Sequence, residues 1–236
     1  MRLFVLAGGI GSRLKIAVSD VPKALAPIGD KPFLQLQIEH WLSQGVSEFT
    51  FLLHYQADQI IDFLVMQKSS LLSDCRIDWV IEPQLLDTGG AVTHAVKTLN
   101  VKDNFLLTNG DTWLGGGIQE VFQTAAPAMA VVHLDNVGRY GQVQYNEDQL
   151  ATSFNEKKDD EPTSGWINAG LCHLDPELFK NWDGKPLSLE RDLFPNLVKK
   201  QQLTAVPLQT PFIDIGIPED YYRFCRWIKS GKQDYL

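Results

Sequence analysis

The first half of the chain alternates short apolar runs with longer amphipathic stretches, and this alternation restricts the fold more than any other feature. Leu3-Phe-Val-Leu-Ala7 reads as a buried strand. Pro32 stands where a helix would begin, Leu34, Ile38, Trp41 and Leu42 follow at helical spacing, and Gly45 ends it. Residues 49–53, 77–81 and 105–108 read as further strands. Ile60, Ile61, Leu64 and Val65 mark a second helix, and residues 91–99 a third. The order β-α-β-α-β-α-β predicts an α/β fold: a Rossmann-like three-layer sandwich around a mostly parallel, mixed sheet. In such sheets ligands bind outside the carboxyl ends of the strands. Two polar motifs fall there: a Gly-rich loop after the first strand, and Asn109-Gly-Asp111 after the fourth.

The second half is less regular. Residues 129–133, 141–145 and 167–173 read as strands; residues 176–180, 189–200 and 218–229 read as helical. Neither a repeat nor a linker interrupts the 236 residues, so we expect one domain. The more regular residues 1–115 and the less regular residues 116–236 would form its two halves.

The net charge of -8 and the lack of a basic track exclude a nucleic-acid binder, which must neutralise many phosphates. A single nucleotide needs only a few local donors. Cys75, Cys172 and Cys225 are far apart and outside metal-ligand spacing, so reduced thiols in a cytoplasmic protein are expected. No apolar run is long enough for a membrane span. The oligomeric state stays open, and a homo-oligomer is compatible with everything above.

Leu6-Ala-Gly-Gly-Ile-Gly-Ser-Arg-Leu14 places three glycines, Gly8, Gly9 and Gly11, where backbone N–H groups can approach an anion. Arg13 adds a planar, bidentate cation, and Lys23 a second charge. Leu14 stands where a dinucleotide fingerprint requires glycine, and the P-loop pattern does not match. By itself the loop admits two readings, an anion cradle or a tight strand-to-helix turn with a surface arginine.

The compound pattern decides between them. Gly8-Gly-Ile-Gly-Ser-Arg-Leu14, Pro22-Lys23 and Lys31-Pro32-Phe-Leu34 together resemble the opening signature of the sugar-nucleotide pyrophosphorylases, the NDP-sugar nucleotidyltransferases. The likeness continues through Glu82-Pro-Gln-Leu-Leu-Asp-Thr-Gly-Gly-Ala91, Asn109-Gly-Asp111, Arg139-Tyr-Gly-Gln-Val143, Phe154-Asn-Glu-Lys157, Asn168-Ala-Gly170 and Phe212-Ile-Asp-Ile-Gly216. Asp87 departs from the glycine common before the threonine.

The resemblance implies a nucleoside triphosphate and a sugar 1-phosphate as substrates, with a Mg²⁺ ion held by Asp111 and Asp214. Arg13, Lys23 and Lys157 would carry the catalytic positive charge. Leu6, Ala7, Gly8, Gly9, Gly11, Ser12, Glu82, Thr88, Gly89, Gly90 and Asn109 would line the nucleotide site with Arg13, Lys23 and Asp111. Gly141, Glu156, Asn168, Gly170 and Glu190 would join Lys157 in reading the sugar phosphate. Simpler roles compete at several positions. Asp111 could be a turn residue, Asp87 or Thr88 a helix cap, and Ser188 the start of a helix that Glu190 merely caps. Asp214 lies between Ile213 and Ile215 and needs a partner, which a metal would supply. The five histidines form no catalytic pattern.

Leu14-Lys-Ile-Ala-Val-Ser-Asp-Val-Pro-Lys23 and Phe212-Ile-Asp-Ile-Gly-Ile-Pro-Glu-Asp-Tyr221 are similar to the bacterial D-glycero-α-D-manno-heptose 1-phosphate guanylyltransferase group. That likeness implies GTP and heptose 1-phosphate, with a product used in surface glycans such as lipopolysaccharide or capsule. The rivals are mannose 1-phosphate with GTP, a hexose 1-phosphate with UTP or dTTP, and a non-catalytic sugar-nucleotide-binding regulator.

Overall fold

The computed structural model describes residues 1–18, 20–156 and 163–232. Its elements begin with β1 (Arg2–Leu6), β2 (Pro27–Ile28), β3 (Lys31–Pro32), α1 (Phe33–Ser43), β4 (Glu48–Leu53), α2 (Ala57–Gln67), β5 (Arg76–Ile81), α3 (Asp87–Thr98) and β6 (Phe105–Asn109). There follow β7 (Thr112–Leu114), α4 (Ile118–Gln123), β8 (Ala128–Leu134), β9 (Gln142–Tyr145), β10 (Ala151–Asn155) and β11 (Gly165–Leu174). The last are α5 (Phe194–Lys199), β12 (Thr204–Leu208), β13 (Phe212–Asp214) and α6 (Pro218–Lys229). The α/β class and the mixed, mostly parallel sheet flanked by helices are as expected. Among the described residues no helix is long and apolar enough to cross a membrane.

The chain folds as two compact units. One comprises Met1–Gln84, Thr108–Gly115 and Pro211–Leu236, the other Leu85–Leu107 and Gly116–Thr210. In the first, β1 pairs in parallel with β4, and β4 with β5. Leu3, Phe4 and Val5 are wholly buried, as a parallel strand covered on both faces requires. A two-stranded antiparallel ribbon of β7 and β13 lies over an aromatic-rich core of Leu14, Phe33, Trp113, Ile213, Phe224 and Trp227. Burial of each such side chain contributes about 1.5–3 kcal/mol. The amphipathic spacing of α6 sends Tyr221, Phe224 and Trp227 into this core and leaves Tyr222 half exposed.

In the second unit β8 pairs antiparallel with β11 and parallel with β12, and β9 pairs antiparallel with β10. The register of β11 breaks between Asn168 and Cys172, and Gly170 within that bulge has φ 75°. The helix expected over 189–200 is divided. A π-helical turn at Leu189–Leu193 precedes α5, and Pro195 falls in the first turn of α5, where its missing N–H costs nothing. The third helix starts about one turn earlier than its apolar periodicity suggested, so Gly89 and Gly90 lie inside α3. Cys75, Cys172 and Cys225 are free thiols.

Gly110 joins β6 to β7 and approaches β1 closely. Its N–H donates to Leu6 O at 2.9 Å, and a Cβ there would fall 2.9 Å from the same backbone oxygen. Backbone cannot yield as a side chain can. Gly110→Ala is therefore expected to lower stability by ~1–3 kcal/mol, the usual cost of overpacking, read from urea unfolding.

Candidate active site

The first unit gathers three of the charged residues expected from the sequence. The β7–β13 register pairs Phe212 with Leu114, Ile213 with Trp113 and Asp214 with Thr112, and Ile215 N–H donates to Asp111 O at 3.0 Å. Positions 111 and 214 therefore stand side by side. Strand alternation sends Ile213 and Ile215 into the core and turns Asp214 the other way. Lys23 arrives from a short turn opened by Pro22. Its ammonium donates to Asp111 Oδ2 and lies 3.5 Å from Asp214 Oδ1. The partner that Asp214 required is thus present as Lys23.

The carboxylates are held from other sides too. Gly216 N–H donates to Asp214 Oδ1 at 2.7 Å, and the Thr112 hydroxyl donates to Asp111 Oδ1 at 3.2 Å. A Cβ at position 216 would fall 2.7 Å from Asp214 Oδ1 and 2.8 Å from Lys23 Nζ, so a side chain there would displace the cluster's charged groups.

Burial works against charge on Lys23, but the two carboxylates outweigh it and raise its pKa above the usual 10.5. Burial likewise pushes Asp111 upward, and the Lys23 charge and hydrogen bond more than reverse this, leaving it below the usual 3.8. Lys23 and Asp111 are therefore both charged at neutral pH.

The Gly-rich loop rests on the stem of Lys23. Gly11 has φ 63°, and a Cβ there would lie 3.2 Å from Lys23 Cβ. Gly8 is hemmed in, with a would-be Cβ 2.9 Å from His54 N and 3.1 Å from Glu82 Oε1, so buried Glu82 flanks the loop. Leu6 and Ala7 lead into the loop, Gly9 borders open space, and Ser12 and Arg13 are exposed. Arg13 has no hydrogen-bond or ion-pair partner among the described residues, so its guanidinium is available to an incoming anion. Asn109 ends β6 next to Gly110.

Two residues not singled out in the sequence fix this loop. Tyr55 N–H donates to Gly8 O at 3.2 Å, and the Tyr55 hydroxyl accepts from Lys15 Nζ at 2.9 Å, with that ammonium 4.2 Å from the ring centre. Neither residue carries a local signal, because their pairing is made by β4 delivering Tyr55 beside the loop.

The second unit holds two clusters. In the first, the Thr88 hydroxyl donates to Glu190 Oε2 at 2.7 Å, and Ser188 Oγ donates to the same oxygen at 3.1 Å. Ser188 also caps its turn by accepting from Arg191 N–H. Asp87 has φ 63°, where glycine is the less strained residue. Its carboxylate accepts from Thr88 N–H and pairs with Arg191, another residue not singled out beforehand. Gly89 and Gly90 are buried: Cβ atoms there would meet Leu187 O at 3.0 Å and Leu86 Cβ at 2.8 Å. The second cluster is the β11 bulge, where Asn168 N–H donates to Gly141 O and Gly170 N–H to Asn168 Oδ1, both at 2.9 Å. Glu156 is exposed and apart from this bulge's hydrogen bonds. Lys157 lies outside the described residues.

Lys23→Met would leave Asp111 and Asp214 facing each other without a cation. In the wild type Asp111 has a depressed pKa, so its stabilising effect is present above 3.8 and lost as pH falls through the depressed value. In the variant the facing carboxylates favour taking up a proton. The deficit in melting temperature relative to wild type is therefore expected to be largest at pH 8 and to shrink towards pH 4. A deficit independent of pH would show that the cluster is not held by charge.

The nucleotidyl transferase family model matches residues 3–230. The chain is 34% identical over 226 residues to D-glycero-alpha-D-manno-heptose 1-phosphate guanylyltransferase of Campylobacter jejuni, covering 95% of this chain and 98% of that one. It is 28% identical over 239 residues to the mannose-1-phosphate guanylyltransferase catalytic subunit beta of Drosophila pseudoobscura, covering 98% of this chain and 64% of that one. Among solved structures, HddC from Yersinia pseudotuberculosis superposes with a TM-score of 0.82 at 34% identity, covering 96% and 99% of the two chains. Its complex with GMP-PN gives 0.80 at 32% identity, with the same coverage. On these matches and its own motifs, the chain belongs to the nucleotidyl transferase family.

Proposed function

We propose that the chain is a sugar-1-phosphate guanylyltransferase that joins GTP to D-glycero-α-D-manno-heptose 1-phosphate and releases pyrophosphate. One observation carries the reading. The Lys23–Asp111–Asp214 cluster, with the Gly-rich loop packed on it, lies in a chain 34% identical to an enzyme of that name.

The reaction brings two anions together. An oxygen of the sugar phosphate attacks the α-phosphorus, the bond to the β-phosphate oxygen breaks, and pyrophosphate departs with the electron pair. The attacking phosphate is already ionised, so no general base is needed. Positioning can supply ~7–11 kcal/mol of the barrier. Arg13, unpaired among the described residues, would grip the departing phosphates. Lys23 would serve the α-phosphate and the attacking oxygen. Lys157 would hold the acceptor's phosphate. The nucleotide would be carried by residues within 1–115, including Gly8, Gly9, Gly11, Ser12, Glu82, Thr88 and Asn109. Asn168, Gly141, Gly170, Glu156 and Glu190 would read sugar hydroxyls, which suit neutral and acidic hydrogen-bonding groups.

The carboxylates of Asp111 and Asp214 already converge on one cation, the Lys23 ammonium, so their placement fits a shared divalent ion completed by phosphate oxygens and water. A magnesium ion there would neutralise charge on the triphosphate. The reading also places the protein in the cytoplasm, where nucleoside triphosphates are found, and its product in surface-glycan assembly.

A panel crossing GTP, ATP, UTP and dTTP with heptose, mannose and glucose 1-phosphates, followed by pyrophosphate release, tests the assignment. Fastest magnesium-dependent turnover is expected with GTP and the heptose phosphate. A preference for UTP or dTTP would remove the guanylyl reading. Asp111→Asn and Asp214→Asn are each expected to cut turnover by at least ~100-fold, the scale of losing one transition-state charge contact.

A further inference from the structure

The ribbon that carries the two carboxylates has only two strands, and a two-stranded ribbon is marginal without support. Its ladder bonds run from Ile215 N–H to Asp111 O (3.0 Å) and from Gly115 N–H to Pro211 O (2.8 Å). These are alternate positions of the strand. The carbonyls of Thr112 and Leu114 therefore face the opposite edge, where no strand among the described residues pairs with β7. Carbonyls in such a setting need donors from elsewhere.

Helix α1 supplies them. Gln37 is only 1% exposed, and its Nε2 donates to Thr112 O at 2.8 Å and lies 3.4 Å from Asn109 O. Its two acceptors bracket Asp111 on either side. One helical turn on, His40 Nε2 stands 3.0 Å from Leu114 O, while its ring stacks on Trp113 with centroids 4.6 Å apart. Positions 37 and 40 share a helix face, and Thr112 and Leu114 share a strand edge, so the two spacings match. Gln37 Oε1 is buried without a partner, a state that costs ~1–3 kcal/mol. An apolar side chain would avoid that cost and lose the donors.

We infer that Gln37 and His40 are positioning residues. They act as a substitute strand that locks the register of the Asp111 segment and so holds its carboxylate beside Asp214. This rests on the proposed role of that pair as metal ligands. Hydrogen bonds behind metal ligands typically carry 10–100-fold effects on metal affinity or activity.

Gln37→Met keeps the volume and removes the donors. The magnesium concentration for half-maximal turnover is expected to rise about tenfold, with KM for the sugar phosphate within about twofold of wild type. In the protein without substrates, the Ile215 and Gly115 amides are expected to exchange about tenfold faster with solvent, while those of Ala7 and Glu82 in the neighbouring parallel sheet do not change. His40→Phe, which keeps the stacking, should act in the same direction and serves if Gln37→Met does not fold. Wild-type magnesium dependence together with wild-type exchange in the folded variants overturns the inference. Asp111→Asn measured alongside separates the two levels. If it is fully active, the metal reading fails and this inference with it. If it is inactive while the α1 variants behave as wild type, only this inference fails.

Discussion

Two carboxylates sharing one ammonium is the constraint on which the first unit is organised. Asp111 and Asp214 repel each other, and burial works against the charge on Asp111. Lys23 makes their proximity tolerable. Three separate segments must then meet: the turn after Pro22, the bend after β6 and the end of β13. Much else follows from the meeting. Gly216 lies close against both the Asp214 carboxylate and the Lys23 ammonium, Gly11 lets the loop lie on the lysine stem, and Gly110 lets the acid-bearing bend approach β1. Lys23 is mostly buried, and a buried ion pair is weak evidence for stability because the loss of hydration offsets the attraction.

The apolar layer beneath explains how charged groups are held in place. Ile213, Ile215 and Trp113 anchor the ribbon in a core built mainly from α1 and α6 side chains, and Asp214 projects from the same backbone in the opposite direction. Trp113 packs against Phe224 at 5.4 Å and Trp227 at 5.9 Å between ring centres. A hydrophobic face and a charged face one residue apart is the usual economy of a β-strand. Here it couples core packing directly to the spacing of the two acids.

Legibility in the sequence varied with the source of each structural preference. Strands β1, β4, β5 and β6 are short, mostly apolar runs and were plain, as was α6 between Pro218 and Lys229. The short β7 was not, because three residues cannot display a period, nor was its pairing with β13, which joins distant positions. α3 began a turn early because Gly89 and Gly90 interrupt the apolar pattern while fitting closely against residues 86 and 187. The break at 193–194 reflects a proline whose position within a helical stretch only matters once the helix is built.

The same division holds for the site. The sequence alone determined the chemistry on offer. Glycines followed by Arg13, a lysine after Pro22, and an acid between two isoleucines are local facts, and together they indicated phosphate handling and membership of this family. Tertiary structure decided which of these groups meet. It gave Asp214 a lysine as its partner, tied Lys15 to Tyr55, set Asp87 against Arg191, and brought Gln37 and His40 to the acid-bearing strand. None of those pairings has a sequence signature, because each depends on backbone crossings between segments far apart in the chain, and local preferences carry no information about those crossings.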